Sequence, residues 1–116
     1  MRLPNAEKAI IDTRKLTGYI LDTSNVRGQH KARVMAAALG FTVKNAEELK
    51  TVLLDAVVDE ECSIGELDFY GQRYTVDCKI KSDVGEAIVR SGWIIRRGED
   101  FPRLTTCFVR NKKGQK

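Results

Sequence analysis

A change of period limits the folds open to this chain. Through the first half, apolar residues recur at helical spacing; after Glu61 they recur at every second residue. The alternation is cleanest over 73–80. Tyr74, Val76, Cys78 and Ile80 fall on one face there, and Arg73, Thr75, Asp77 and Lys79 on the other. Helices followed by strands specify an α+β domain, with two or three N-terminal helices packed on a three- to four-stranded antiparallel β-meander. The 116 residues suit one such domain over 1–110, followed by a basic flexible tail at 111–116. With 42% hydrophobic and 31% charged residues, the chain has enough apolar material for a core, which excludes disorder and collagen. Its longest apolar runs, such as 34–39, are too short to span a bilayer. No basic stretch followed by an apolar one marks a signal peptide, and no membrane partner is expected.

Local signals refine this outline. Asp12 is placed to cap a short helix over 13–21, with Leu16, Tyr19 and Ile20 on its apolar side. Asp22, Ser24 and Asn25 break that helix and offer the next cap. A second helix is expected over 28–39, with Val34, Met35, Ala38 and Leu39 inward and Gly40 ending it in the left-handed conformation. A third spans 46–60, where Asn45 and Glu48 have capping-box spacing and Leu49, Val52, Leu53, Ala56 and Val57 form the stripe. Leu67 and Phe69 suggest a short strand before a turn at Tyr70-Gly71. Longer strands follow over 73–80, 86–96 and 103–109, joined by turns at 82–85 and 98–100.

Charge is unevenly distributed. Residues 1–40 carry seven Lys/Arg against three Asp/Glu, residues 41–68 two against eight, and residues 69–116 eleven against five. Two positive regions therefore flank an acidic one, which suits an anionic partner. The three cysteines, Cys62, Cys78 and Cys107, are odd in number and lack knuckle or redox-motif spacing. They point to a reducing compartment, the cytoplasm. With a single histidine and no ligand cluster, neither a metal nor another cofactor is expected.

The densest candidate for chemistry is the stretch 27–33. It sets Arg27, His30, Lys31 and Arg33 at a helix start, where unpaired backbone N–H groups attract anions. Cations at that end are electrostatically misplaced for a purely structural helix. Imidazole is the side-chain type suited to proton transfer near neutral pH. A phosphodiester bound here meets a proton acceptor, a cation and the helix dipole together. The plain alternative is a solvated basic first turn. Arg90, inside an apolar strand, must reach solvent or an anion, and its guanidinium suits phosphate. Period two turns Ser91 and Trp93 to the opposite face from Arg90. Trp93 reads either as core or as a base-stacking platform. Of Thr105 and Thr106, one hydroxyl can face a site. Asp77 is placed to orient an Arg across the sheet.

Several of these pieces occur together in a pattern. They are Leu3-Pro4-Asn5-Ala6-Glu7, Lys15-Leu16-Thr17-Gly18-Tyr19, Gly28-Gln29-His30-Lys31-Ala32-Arg33-Val34, Tyr70-Gly71-Gln72-Arg73-Tyr74, Arg90-Ser91-Gly92-Trp93-Ile94 and Gly98-Glu99-Asp100-Phe101-Pro102-Arg103-Leu104-Thr105-Thr106. Over nearly its whole length the chain resembles an uncharacterised family of small bacterial domains, found beside antitoxin-like partners and at the C-termini of polymorphic toxins. The layout is also similar to the barnase- and colicin-type ribonuclease toxin fold. That resemblance implies a metal-independent endoribonuclease whose partners are an RNA substrate and a small neutralising protein. It implicates His30, Lys31, Arg90, Ser91 and Thr106 in catalysis and Arg27, Arg33, Arg73, Trp93 and Arg103 in substrate contact. The chain departs from the pattern in having no second histidine and no glutamate in an obvious base position, so Lys31 or Tyr74 has to supply the other proton. The competing expectation is a non-catalytic protein-interaction module, an antitoxin- or immunity-like partner.

Overall fold

Two packing demands dictate the architecture: two amphipathic helices must bury one stripe each, and the alternating strands must bury one face. The structure, a computed structural model, describes residues 1–110; the expected tail at 111–116 lies outside the described residues. A one-turn helix α1 (Thr13–Lys15) runs into a π turn over Leu16–Ile20 and is followed by α2 (Gln29–Leu39) and α3 (Ala46–Val57). Four strands follow, β1 (Cys62–Asp68), β2 (Gly71–Lys81), β3 (Glu86–Arg96) and β4 (Arg103–Val109). They form one antiparallel meander in the order β1-β2-β3-β4. The fold is therefore α+β, with the helices preceding a four-stranded sheet.

α2 and α3 both pack on the inner sheet face. Met35, Leu39, Leu49, Leu53 and Val57 close onto Val76, Cys78, Ile80, Val89, Trp93 and Cys107, all nearly or wholly inaccessible. Among the described residues the outer face carries no helix, as expected when helices gather on one side of an antiparallel sheet. The N-terminal segment ties down both sheet edges, which limits edge-to-edge pairing. Cys62 N donates to Met1 O at the β1 edge; at the β4 edge Ile10 N donates to Pro102 O, and Leu104 N to Ile10 O.

Four local expectations are corrected. The helix expected over 13–21 becomes α1 plus the π turn, closed by Leu21 N donating to Leu16 O at 2.7 Å. The wider turn buries Leu16, Ile20 and Leu21 together and leaves Tyr19 exposed. The capping box lies one turn earlier than the Asn45–Glu48 spacing suggests. Asn45 folds back, its Oδ1 accepting from Thr42 N and its Nδ2 donating to Gly40 O, while Thr42 Oγ1 accepts from Lys44 N. α3 ends at Val57, short of residue 60. The first strand starts at Cys62, well before Leu67, and Phe69 belongs to the following turn. A register shift between Ile64 and Leu67 breaks the alternation that marks such a strand.

Candidate functional site

α2 ends at Gly40, in the left-handed conformation at φ 76°. Its first turn lies where β4 finishes. Asn25 organises the approach, its Oδ1 accepting from both Arg27 N and Gly28 N at 3.0 Å. Between α2 and the strand ends lies a cleft of about 610 Å³. His30, Lys31 and Val34 line it from the helix, and Lys79, Ile88, Phe108 and Arg110 are among its lining on the sheet side. Its floor is largely apolar, and its rim is cationic apart from Glu86.

The cations differ in how they are held. Lys79 pairs with Glu86 at 3.6 Å, both well exposed. Arg110 donates to Asp77 at 2.9 Å. Lys31 Nζ sits 4.2 Å from the centre of the Phe108 ring, a cation–π contact, and has no ion pair among the described residues. Phe108 is in turn the cross-strand partner of Arg90. Arg90 grips Asp77 in a forked geometry, Nε at 2.8 Å and Nη2 at 3.0 Å. The Arg90 hydrogen bonds hold the Asp77 carboxyl below the ordinary carboxylate range, against the opposing effect of burial; the Arg110 charge adds to the lowering. Two guanidiniums thus share one carboxylate, which leaves an unneutralised positive charge beside the cleft.

The sequence-derived residues divide by face. His30 and Lys31 line the cleft. Arg90 lies on the adjoining outer face, joined to the cleft through the Asp77–Arg110 pair and by its position opposite Phe108. Thr106 is on that outer face too, opposite Gly92 and two residues from Phe108. The expectation for Ser91 and Trp93 is corrected, because both lie on the inner face. Ser91 is fully inaccessible; its Oγ donates to Val76 O and accepts from Trp93 Nε1, both at 2.9 Å. Trp93, 1% exposed, is core and offers no stacking platform. Tyr74, the alternative proton source, is likewise buried on the inner face. Arg73 is held by Asp68 at 2.8 Å, and Arg103 by Glu99 in a fork at 2.9 Å, with its guanidinium over Phe101. Arg27, in the turn before α2, and Arg33, on α2, are exposed outside the cleft lining.

Lys79, Phe108 and Arg110 were not singled out by sequence reasoning. Period two did place Lys79 on the face of Arg73 and Asp77, and Phe108 and Arg110 fall at even steps from Thr106. The missing information was how the strand ends sit together: Arg110 N donates to Ile88 O, and Ile88 is the cross-strand partner of Lys79. Burial pushes the Cys78 and Cys107 thiols up to about 12, so neither is a nucleophile at neutral pH. Among the described residues no three His, Cys, Asp or Glu side chains group closely enough to hold a metal ion, and no helix is long and apolar enough to cross a membrane.

Comparison with known families matches residues 2–111 to DUF6883, a domain of unknown function, and the chain belongs to that family. No curated protein matches it.

Proposed function

For this DUF6883 domain we propose a metal-independent ribonuclease activity at the cleft between α2 and β4. The observation that carries the proposal is the meeting of the chain's only histidine with Lys31 and Arg110 on one open rim. A proton acceptor and cations together are what in-line attack by a ribose 2′-hydroxyl requires. RNA carries its own nucleophile, so the protein has only to move protons and hold charge.

In this reading the His30 imidazole takes the proton from the 2′-hydroxyl. The O2′–P bond forms as the P–O5′ bond breaks, and the 5′-oxygen leaves with a proton from the Lys31 ammonium or from water. Negative charge on the non-bridging oxygens faces Lys31 and Arg110, with Arg90 behind them. The products are a 2′,3′-cyclic phosphate and a 5′-hydroxyl. Thr106, beside Phe108 on the outer face, supports the same site as a hydroxyl donor. Ser91, Trp93 and Tyr74 have no part in it. The sequence resemblance extends the proposal to a role as the toxin of a bacterial toxin–antitoxin or polymorphic-toxin system, held in check by a small protein.

The test is digestion of tRNA and total RNA in EDTA, alongside the same sequences methylated at every 2′-oxygen. The expected result is cleavage of the natural RNA to cyclic-phosphate ends, with the methylated RNA intact. Cleavage of the methylated strand, or natural RNA left whole at high protein concentration, contradicts the proposal. The second outcome returns the domain to the interaction-module reading.

A further inference from the structure

At the far end of β2 from the cleft, the β1–β2 hairpin turns through Phe69 and Tyr70, whose rings the core does not use. They are 78% and 66% exposed and meet edge to face, centroids 5.5 Å apart. Much polar structure holds this two-residue tip. Asp68 Oδ1 accepts from Tyr70 N at 2.9 Å and Gly71 N at 3.3 Å, and its other oxygen takes Arg73. The Arg97 guanidinium donates to Phe69 O at 2.6 Å and Asp68 O at 3.1 Å, and Arg97 N donates to Tyr70 O. A tip whose backbone is held in this way, with two aromatic rings in water, has little backbone entropy left to lose on binding a ligand.

Charge indicates which ligand. Arg96 and Arg97 carry no ion pair among the described residues, and Asp68 is already occupied by Arg73. From the tip to the cleft the helix-free outer face carries more cations than carboxylates, since Arg90 and Arg110 share Asp77. The eight steps from Gly71 to Lys79 span about 26 Å at ~3.3 Å each. That is room for about eight stacked nucleotides at ~3.4 Å apiece. The exposed apolar residues of β1, Ile64 and Leu67, pair with Tyr74 and Gln72 and so point to the helix side, off this path.

We propose that the Phe69–Tyr70 tip is a base-stacking subsite for single-stranded RNA, reached along the outer face from the cleft. Base stacking on aromatic rings beside arginine is sequence-tolerant, so the tip selects single strands over duplexes without reading sequence. The perpendicular rings let only one of them lie flat on a given base, and Phe69 is the more exposed. The inference rests on the reading of the cleft as an RNA site but concerns binding alone.

The experiment measures fluorescence anisotropy of labelled, uncleavable 2′-O-methyl RNA of four and twelve nucleotides on the full chain. The variants are Phe69→Ala/Tyr70→Ala and Phe69→Leu/Tyr70→Leu, with their melting temperatures measured first. The twelve-mer is expected to bind the wild type more tightly than the four-mer. Both variants should melt like the wild type and lose that gain, about 5- to 150-fold for one stacked base. Unchanged twelve-mer affinity in the alanine variant overturns the proposal. So does full affinity in the leucine variant, which keeps apolar area without a flat ring. A wild type that binds neither oligonucleotide also overturns it. Cleavage of natural RNA is scored separately. Binding lost at the tip with no cleavage anywhere sustains this inference and ends the ribonuclease reading; cleavage with unchanged twelve-mer affinity does the reverse.

Discussion

Arg90 and Ser91 are neighbours in the chain, yet they face opposite sides of the sheet. Arg90 shares Asp77 with Arg110 beside the cleft. Ser91 is sealed between Val76 and Trp93, where its hydroxyl satisfies the buried indole N–H. Ser91→Ala strands that N–H and should cost about 1–3 kcal/mol in urea denaturation. Cleavage per folded molecule should not change; a selective loss of activity would place Ser91 in the chemistry after all. Asp77 gives a pH-dependent counterpart. Its carboxyl is held low in the folded chain, mainly by Arg90. The stability it contributes is therefore present above the ordinary carboxylate value near pH 4 and is lost as pH falls through the lower, folded value. Asp77→Asn should be about 1–2 kcal/mol less stable than wild type at pH 6–7, and the gap should close below about pH 4. A gap that is constant with pH contradicts the ion-pair account.

At the scale of elements, regular structure could be read from the sequence and irregular structure could not. α2, α3 and β2 to β4 follow from periodicity, because each buries one stripe or one face over two or more turns or many alternations. The π turn at Leu16–Ile20 and the irregular β1 were missed for a common reason. Each inserts or shifts a residue, so apolar spacing no longer reports the side that is buried. The face of every β2 and β3 candidate was legible, but which face the helices would cover was not, and that decided between Arg90 and Ser91. Residues brought together only by strand ends, such as Lys79 and Arg110, had no local signal. The β1–β2 hairpin depends on Gly71, held at φ 150°, where an added Cβ would collide with the Ile95 carbonyl. Gly71→Ala should therefore lower stability by about 2–3 kcal/mol. An unchanged denaturation midpoint would show that the hairpin does not need that backbone.

For the whole molecule, the uneven charge along the chain becomes a division in space. The acidic segment supplies exposed carboxylates on α3, such as Glu47, Glu48 and Asp55. The two basic segments meet where the first turn of α2 adjoins the outer sheet face, around Phe108. Among the described residues every helix packs on one side and the other face is uncovered, so a modest net charge of +4 is compatible with a polyanion site there. The proposed chemistry turns on His30 moving the proton at this junction. The most direct test compares wild type and His30→Ala, matched for folded concentration, by initial rate on one single-stranded RNA with the cyclic-phosphate ends quantified. Wild type should cleave the RNA, and the variant should be slower by about two to four decades. Equal rates in the two proteins would contradict it.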